Sequence, residues 1–368
     1  MTSVNDDSGR LNLGQRIATV IWFLFGAGFL LALPVLLGLH PLVLPGVLAL
    51  AALVAAPAAW LERLIFDRAR RRSLLRAWIR CALALAFAFS ILAAAPLYAL
   101  AIVVGLDPLL APQAVLSNGK KTVLFQGAVH VGSEPFYKAM IYDLEHALSD
   151  GYVIYYEGVR PDPAGDAFFR DVVAGGGSLN DEYKAMSKVC GLTFQGDYFQ
   201  LLKPQILEHP DRHVAADVTT LQLKQEYERL AAADPAFAKK VQASVEETRR
   251  DKKDAGAMTQ FFAWAQDGDP RHQSLAGVTC RGAMTLLLKA KGEKPAVLDP
   301  VILDFRNRQL AARIEAAPQD RIYVNYGAEH LKGLLAELRK ADPHWKVRSV
   351  KWMRAMQAPE TLRGETIE

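Results

Sequence analysis

Apolar positions are spread unevenly along the 368-residue chain: long Ala/Leu/Val runs fill it up to about Gly105, and mixed patterning follows. Three runs, Ile17–Leu39, Leu42–Trp60 and Cys81–Val104, hold no Asp, Glu, Lys or Arg. Each has about the 20 residues that a hydrocarbon core of roughly 30 Å requires. A secretory signal has one short apolar region, so three successive runs predict three transmembrane helices. Pro34, Pro45, Pro57 and Pro96 fit that setting, where neighbouring helices satisfy freed carbonyls.

After Lys121 the pattern is that of an α/β domain. Thr122–Gln126 reads as a strand. Ser133 can cap a helix with Glu134 and Pro135 in its first turn and Phe136, Met140, Leu144 and Leu148 at helical spacing. Gly151 ends it, and "YVIYYEG" follows as a second strand. Strand, helix, strand over this length is a βαβ unit, which predicts two parallel, neighbouring strands. "HVAADV" is a third strand-like run, finishing at Asp217, and residues 223–291 read as a helical insertion. The carboxy-terminal unit repeats the opening logic. "LDPVILDFRNRQLAARIEAA" is helical, "RIYVNYG" a strand, His330 opens the next helix, and "WKVRSVKWM" is a last strand. The expected organisation is a membrane anchor over 1–105, a linker over 106–120, and an α/β domain over 121–368 with a mixed or mostly parallel sheet flanked by helices. The linker reading rests on two prolines, an Asn-Gly turn and little periodicity.

Charge adds topology. "LERLIFDRARRRSLLRAWIR", between the second and third runs, carries seven arginines against Glu62 and Asp67, or +5 of the chain's +4, so the remainder sums to about −1. Basic loops stay in the cytoplasm. The amino terminus is then cytoplasmic, the spans cross an inner membrane, and everything after Gly105 is periplasmic or extracellular. The positive charge therefore reports orientation and gives no nucleic-acid surface. Of three cysteines, Cys190 and Cys280 fall in the exported part. Their spacing matches no zinc or redox motif, and both a disulfide and two free thiols remain open.

Candidate chemistry lies where strands end. Gly127-x-x-His130 and Gly327-x-x-His330 each stand between a strand and a helix, and Glu157 ends the second strand. The carboxyl ends of parallel strands share one sheet edge, where sites in open α/β folds form. A histidine near a helix amino terminus is held neutral. Two such rings and a carboxylate make a three-ligand set suited to a divalent metal with a water: Mn, Co, Fe or Zn.

At these residues the chain resembles the TraB/PrgY/Tiki family, within the wider group that includes erythromycin esterases and ChaN-like proteins. Gly127–His130, Glu157, Gly327–His330 and the extension to Gly333 are similar in type, order and context. Arg306-Asn307 resembles the family's Glu-Arg-Asn/Asp signature, and Asp217 its central Asp-containing stretch. Ala128 stands where Thr is usual, and Phe305 where Glu is. The resemblance implies a membrane-anchored hydrolase, a metal-dependent peptidase acting on exported peptides or proteins. His130, Glu157, His330 and Asp217 would then be metal ligands, or Glu157 the general base, and Arg306 an oxyanion or carboxylate clamp. Two alternatives stand beside it: a metal-free, esterase-like hydrolase with His as general base, and a non-enzymatic peptide- or haem-binding signalling domain.

Overall fold

The computed structural model describes residues 13–36, 39–66, 73–254, 260, 263–265, 269–291 and 295–358. The chain divides into two compact units, residues 1–99 with 269–275 and residues 100–268 with 276–368.

The first unit is built on α1 (Leu13–Leu36), α2 (Val43–Phe66) and most of α3 (Leu74–Leu106), each long and apolar enough to cross a membrane. Trp22, Phe23, Phe25, Leu53 and Leu92 are all more than 60% exposed. So much uncovered apolar surface requires lipid around it, which makes this a membrane protein. Four of the seven arginines used for orientation, Arg68, Arg70, Arg71 and Arg72, lie outside the described residues.

The second unit is a three-layer α/β domain. Its main sheet has the order β6-β4-β7-β2-β1-β8. The strands are β1 (Leu110–Ser117), β2 (Thr122–Ala128), β4 (Val153–Tyr156), β6 (His213–Ala215), β7 (Arg321–Gly327) and β8 (Lys346–Arg354). β6, β4, β7 and β2 run parallel, whereas β1 and β8 are antiparallel. A small second sheet pairs β3 (Val131–Gly132) with β5 (Thr193–Phe194).

Central strand β7 is buried on both faces, as a covered parallel strand must be. Ile322, Val324 and Tyr326 pack with Leu310 and Ile314 of α9 (Phe305–Ala316) and Leu334 and Leu338 of α10 (His330–Ala341). On the opposite face, Tyr323 and Ile154 meet Ile141 and Leu144 of α4 (Glu134–Ser149). The remaining long helices are α5 (Leu179–Cys190), α6 (Thr220–Ala233), α7 (Pro235–Asp254) and α8 (Pro270–Lys291). The region 223–291 is accordingly helical, apart from the residues in it that lie outside the description.

Three expectations change. Residues 106–120 are not a linker: β1 occupies Leu110–Ser117 and pairs on both sides, with β2 and β8. β2 and β4 are parallel but not neighbours, because β7 lies between them. Ser133 takes the N-cap position of α4, yet its hydroxyl makes no capping bond; side-chain caps form instead at Ser178 on α5 and as a Thr219–Gln222 box on α6. Cys190 and Cys280, left open by their spacing, form a disulfide with Cα atoms 5.0 Å apart.

Gly127 sits inside β2, opposite the Pro112 of β1, and a Cβ there would lie 2.7 Å from the Pro112 carbonyl oxygen. Its role is close strand approach. Gly127→Ala forces β1 and β2 apart and should lower stability by about 1–3 kcal/mol, read as a reduced denaturation midpoint; an unchanged midpoint would show that the strands yield freely.

Candidate active site

The parallel ladder places the site. Glu157 follows β4, and its backbone amide still bonds to the Asn325 carbonyl of β7 at 2.9 Å. Asp217 follows β6, and His330 is the first residue of α10, which leaves β7 through Gly327. Arg306 rises from α9 between the two carboxylates. Its Nη2 donates to Glu157 Oε1 at 2.6 Å and to Asp217 Oδ2, and its Nε donates to Asp217 Oδ1 at 3.0 Å. Asp217 also accepts the Gly158 and Val218 amides at 3.0 and 2.8 Å. Glu157 Oε2 accepts the Gly327 amide. Arg306 and Asp217 are buried, so the guanidinium acts as an internal counter-ion.

The electrostatics follow. Burial alone would raise the Glu157 pKa, but Arg306, His330 and the Gly327 amide more than offset it and leave the carboxyl below its ordinary range. Arg306 is held above its ordinary pKa: burial opposes the charge, and Asp217 and Glu157 overcome it. His330 is pushed down to about 4, chiefly by burial and then by Arg306, against the pull of Glu157 and Asp217.

Asn307 sets the His330 tautomer. Its Oδ1 accepts from Nδ1 at 2.8 Å, so the lone pair is on Nε2, 3.7 Å from Glu157 Oε1. Gly333 makes room for this: a Cβ there would lie 2.1 Å from Asn307 Nδ2. The His330-x-x-Gly333 spacing is thus one helical turn that admits the amide beneath the ring.

His130 lies apart, on the exposed loop between β2 and β3. Its ring stacks on Tyr183 of α5, centroids 4.5 Å apart. The Gln195 amide nitrogen lies 2.7 Å from Nδ1, and the Gln195 backbone amide donates to the His130 carbonyl. With the amide as donor, Nδ1 accepts and Nε2 carries the proton. Desolvation by these neighbours lowers the His130 pKa, with Glu157 pulling the other way and Arg306 adding to the depression. The two histidines therefore present opposite faces: His330 a lone pair, His130 an N–H.

Among the described residues, no three His, Cys, Asp or Glu side chains form a group that could hold a metal ion. The reasons are specific. Asp217 spends its oxygens on Arg306 and two amides, Glu157 spends its oxygens on Arg306 and Gly327, and His130 is held away from both by Tyr183 and Gln195. The intervening β7 also puts β2 and β4 about 10 Å apart instead of 5 Å. As arranged, the residues do not fit a three-ligand metal centre. The ladder and α9 bring together Glu157, His330, Arg306 and Asp217, while His130 stays at the rim. Arg306 acts as a counter-ion more than as a clamp for an external charge. Tyr183 and Gln195 had no signal in the sequence, because their partner is reached only through the β3–β5 pairing.

The chain matches no family model, no curated protein and no solved structure.

His330 titrates below the roughly 6.5 of an unfolded histidine, so the unfolded chain takes the proton first. Stability is complete above about pH 6.5, falls as pH drops toward about 4 and levels off below, by about 3 kcal/mol in all for this group. His130 contributes in the same direction. Denaturant unfolding across this range should show a shallower slope for His330→Gln; equal slopes would place the proton elsewhere.

Proposed function

We propose that the chain is a membrane-anchored hydrolase that cleaves peptide or ester bonds outside the cytoplasm, on exported peptides or proteins. The observation that carries this is the neutral His330 imidazole with its Nε2 3.7 Å from the ionised Glu157 carboxylate, with His130 at the rim of the same sheet edge. His330 Nε2 takes a proton from water as the water attacks the substrate carbonyl. Glu157, 3.7 Å away, stabilises the resulting imidazolium. The His130 Nε2–H donates to the oxygen that gains charge. The proton on His330 then goes to the leaving nitrogen or oxygen, giving a carboxylic acid and an amine or alcohol. Asn307 and Arg306 are positioning residues, one for the tautomer and one for the charge of Glu157. The paired Gly-x-x-His motifs and their likeness to the TraB/PrgY/Tiki pattern support the reaction class; the commitments of Asp217, Glu157 and His130 favour the metal-free form.

The test is turnover by the full chain in nanodiscs, assayed on a mixture of unstructured peptides and simple acyl esters. Hydrolysis should persist with a chelator, and His330→Gln or His130→Gln should each reduce it by about 10²–10⁴-fold. Loss of activity with chelator and its return with Mn, Co or Zn would transfer the chemistry to a metal. No turnover of any substrate would favour a binding domain.

The extracytoplasmic orientation rests on the basic loop and on the Cys190–Cys280 disulfide, a bond that persists in oxidising compartments. In intact cells, a membrane-impermeant maleimide should label these two cysteines only after reduction. Labelling without reduction would remove the disulfide as support, and none after reduction and denaturation of the outer face would invert the topology.

A further inference from the structure

The disulfide between Cys190 and Cys280 closes beside a charge that lacks an ordinary counter-ion. Arg281, the residue after Cys280 on α8, is only 7% exposed. Among the described residues it has no carboxylate partner, and its Nη1 donates to the Cys190 carbonyl. Burial works against its charge. Arg306, equally buried, is met by two carboxylates, so an interior guanidinium resting on one carbonyl is an incomplete pair. The groups beside it that gain negative charge when the disulfide opens are the two sulfurs. Cys190 is the residue it already contacts, and Cys280 precedes it in the chain. A thiolate next to an arginine is stabilised, and its protonation is disfavoured.

Cys190 also stands where its release would be felt. α5 is buried only in its last turn, at Ser187, Val189 and Cys190, where Val189 packs with Ala265 and Ala276. Tyr183, two turns before Cys190, stacks on His130. Gln195, just past β5, meets His130 Nδ1 with its side chain and donates its backbone amide to the His130 carbonyl. The two supports of His130 therefore flank Cys190 in the chain. The bond is set at the one firmly packed end of a helix that is otherwise partly exposed.

The two sulfurs differ in access. Cys190 is fully buried, whereas Cys280 is half-buried at the margin of the Val189 cluster. An incoming thiolate meets Cys280 first, which leaves Cys190 as the departing sulfur.

We propose that Cys190–Cys280 is a regulatory disulfide, opened by a dithiol reductant and coupled through α5 to His130. A thiolate of the reductant attacks the Cys280 sulfur, the S–S bond breaks, and Cys190 leaves as a thiolate beside Arg281. A leaving sulfur stabilised in this way departs faster. The second thiol of the reductant then attacks the mixed disulfide and releases Cys280 as a thiol. Two electrons pass to the protein, and the reductant ends as its own disulfide. Of its two protons, one stays on Cys280 and one enters solvent. Reduction frees the last turn of α5, and Tyr183 and Gln195 lose their hold on His130. The switch stands by itself; only its effect on turnover rests on the hydrolase reading.

The full chain in nanodiscs is equilibrated across ratios of reduced to oxidised dithiothreitol. The released thiols are counted by maleimide mass shift over the constant contribution of the free Cys81. The wild type should be reduced while still folded. Arg281→Met should shift the equilibrium about tenfold toward the disulfide, and Arg281→Lys should recover most of that shift. Amide exchange read by mass spectrometry should rise over residues 179–195 on reduction and stay unchanged in β7. Dithiothreitol should have no such effect on the chain carrying both Cys190→Ser and Cys280→Ser. A disulfide that yields only when the domain unfolds, or reduction that leaves exchange over 179–195 unchanged, would overturn the switch. Equal equilibria for wild type and Arg281→Met would overturn the guanidinium–thiolate pair on which it is built. Faster exchange with no turnover in either redox state would support the switch and count against the hydrolase reading alone.

Discussion

A buried guanidinium shared by two carboxylates organises this domain. Arg306 would be untenable in the interior alone, and Asp217 equally so; a lone buried charge costs several kcal/mol. Together they need each other and a third partner, and Glu157 supplies it from a different strand. The bridge ties the ends of β4 and β6 to α9, so the strand-end edge is held by electrostatics where the ladder hydrogen bonds run out. Glu157 owes its ionised state to it, and His330, kept neutral chiefly by burial, is depressed further by the fixed positive charge.

The second layer of the arrangement is steric. Asn307 follows Arg306 on α9, so the helix that supplies the counter-ion also supplies the acceptor for His330 Nδ1. That acceptor reaches the ring only because Gly333 lacks a side chain. One helix therefore sets the charge of the carboxylate and the tautomer of the imidazole, and packing through Leu310, Ala311 and Ile314 fixes its position. His130 is governed separately, by a stacked tyrosine on α5 and by Gln195 just beyond β5. α5 ends at Cys190, whose disulfide to α8 and whose carbonyl, bound by Arg281, anchor the support for that ring.

Much of this was legible in the chain. Three uncharged runs of spanning length have few physical outcomes other than membrane helices. The strand-to-helix junction at His330, the strand end at Glu157 and the final strand near 346–354 follow from apolar alternation, Gly and helix-start chemistry; His130, expected at a second such junction, instead precedes the two-residue β3, which no local pattern announces. The stretch before Lys121 was not legible, because two prolines and an Asn-Gly turn mask the alternation of β1. The neighbour of β2 was not legible either: a βαβ unit fixes the direction of its two strands, but a strand from two hundred residues later can enter between them, and β7 does.

Sequence by itself determined the membrane anchor, the class of the domain and the residue types gathered at one sheet edge, since hydrophobic period and helix-terminus chemistry are local properties. Tertiary structure alone decided how those residues are spent. The insertion of β7 sets His130 away from Glu157, and the depth of Arg306 consumes both carboxylates. The partner on each Nδ1 decides which histidine offers a lone pair and which a proton. These are properties of distance and burial between segments far apart in the chain, and no local pattern carries them.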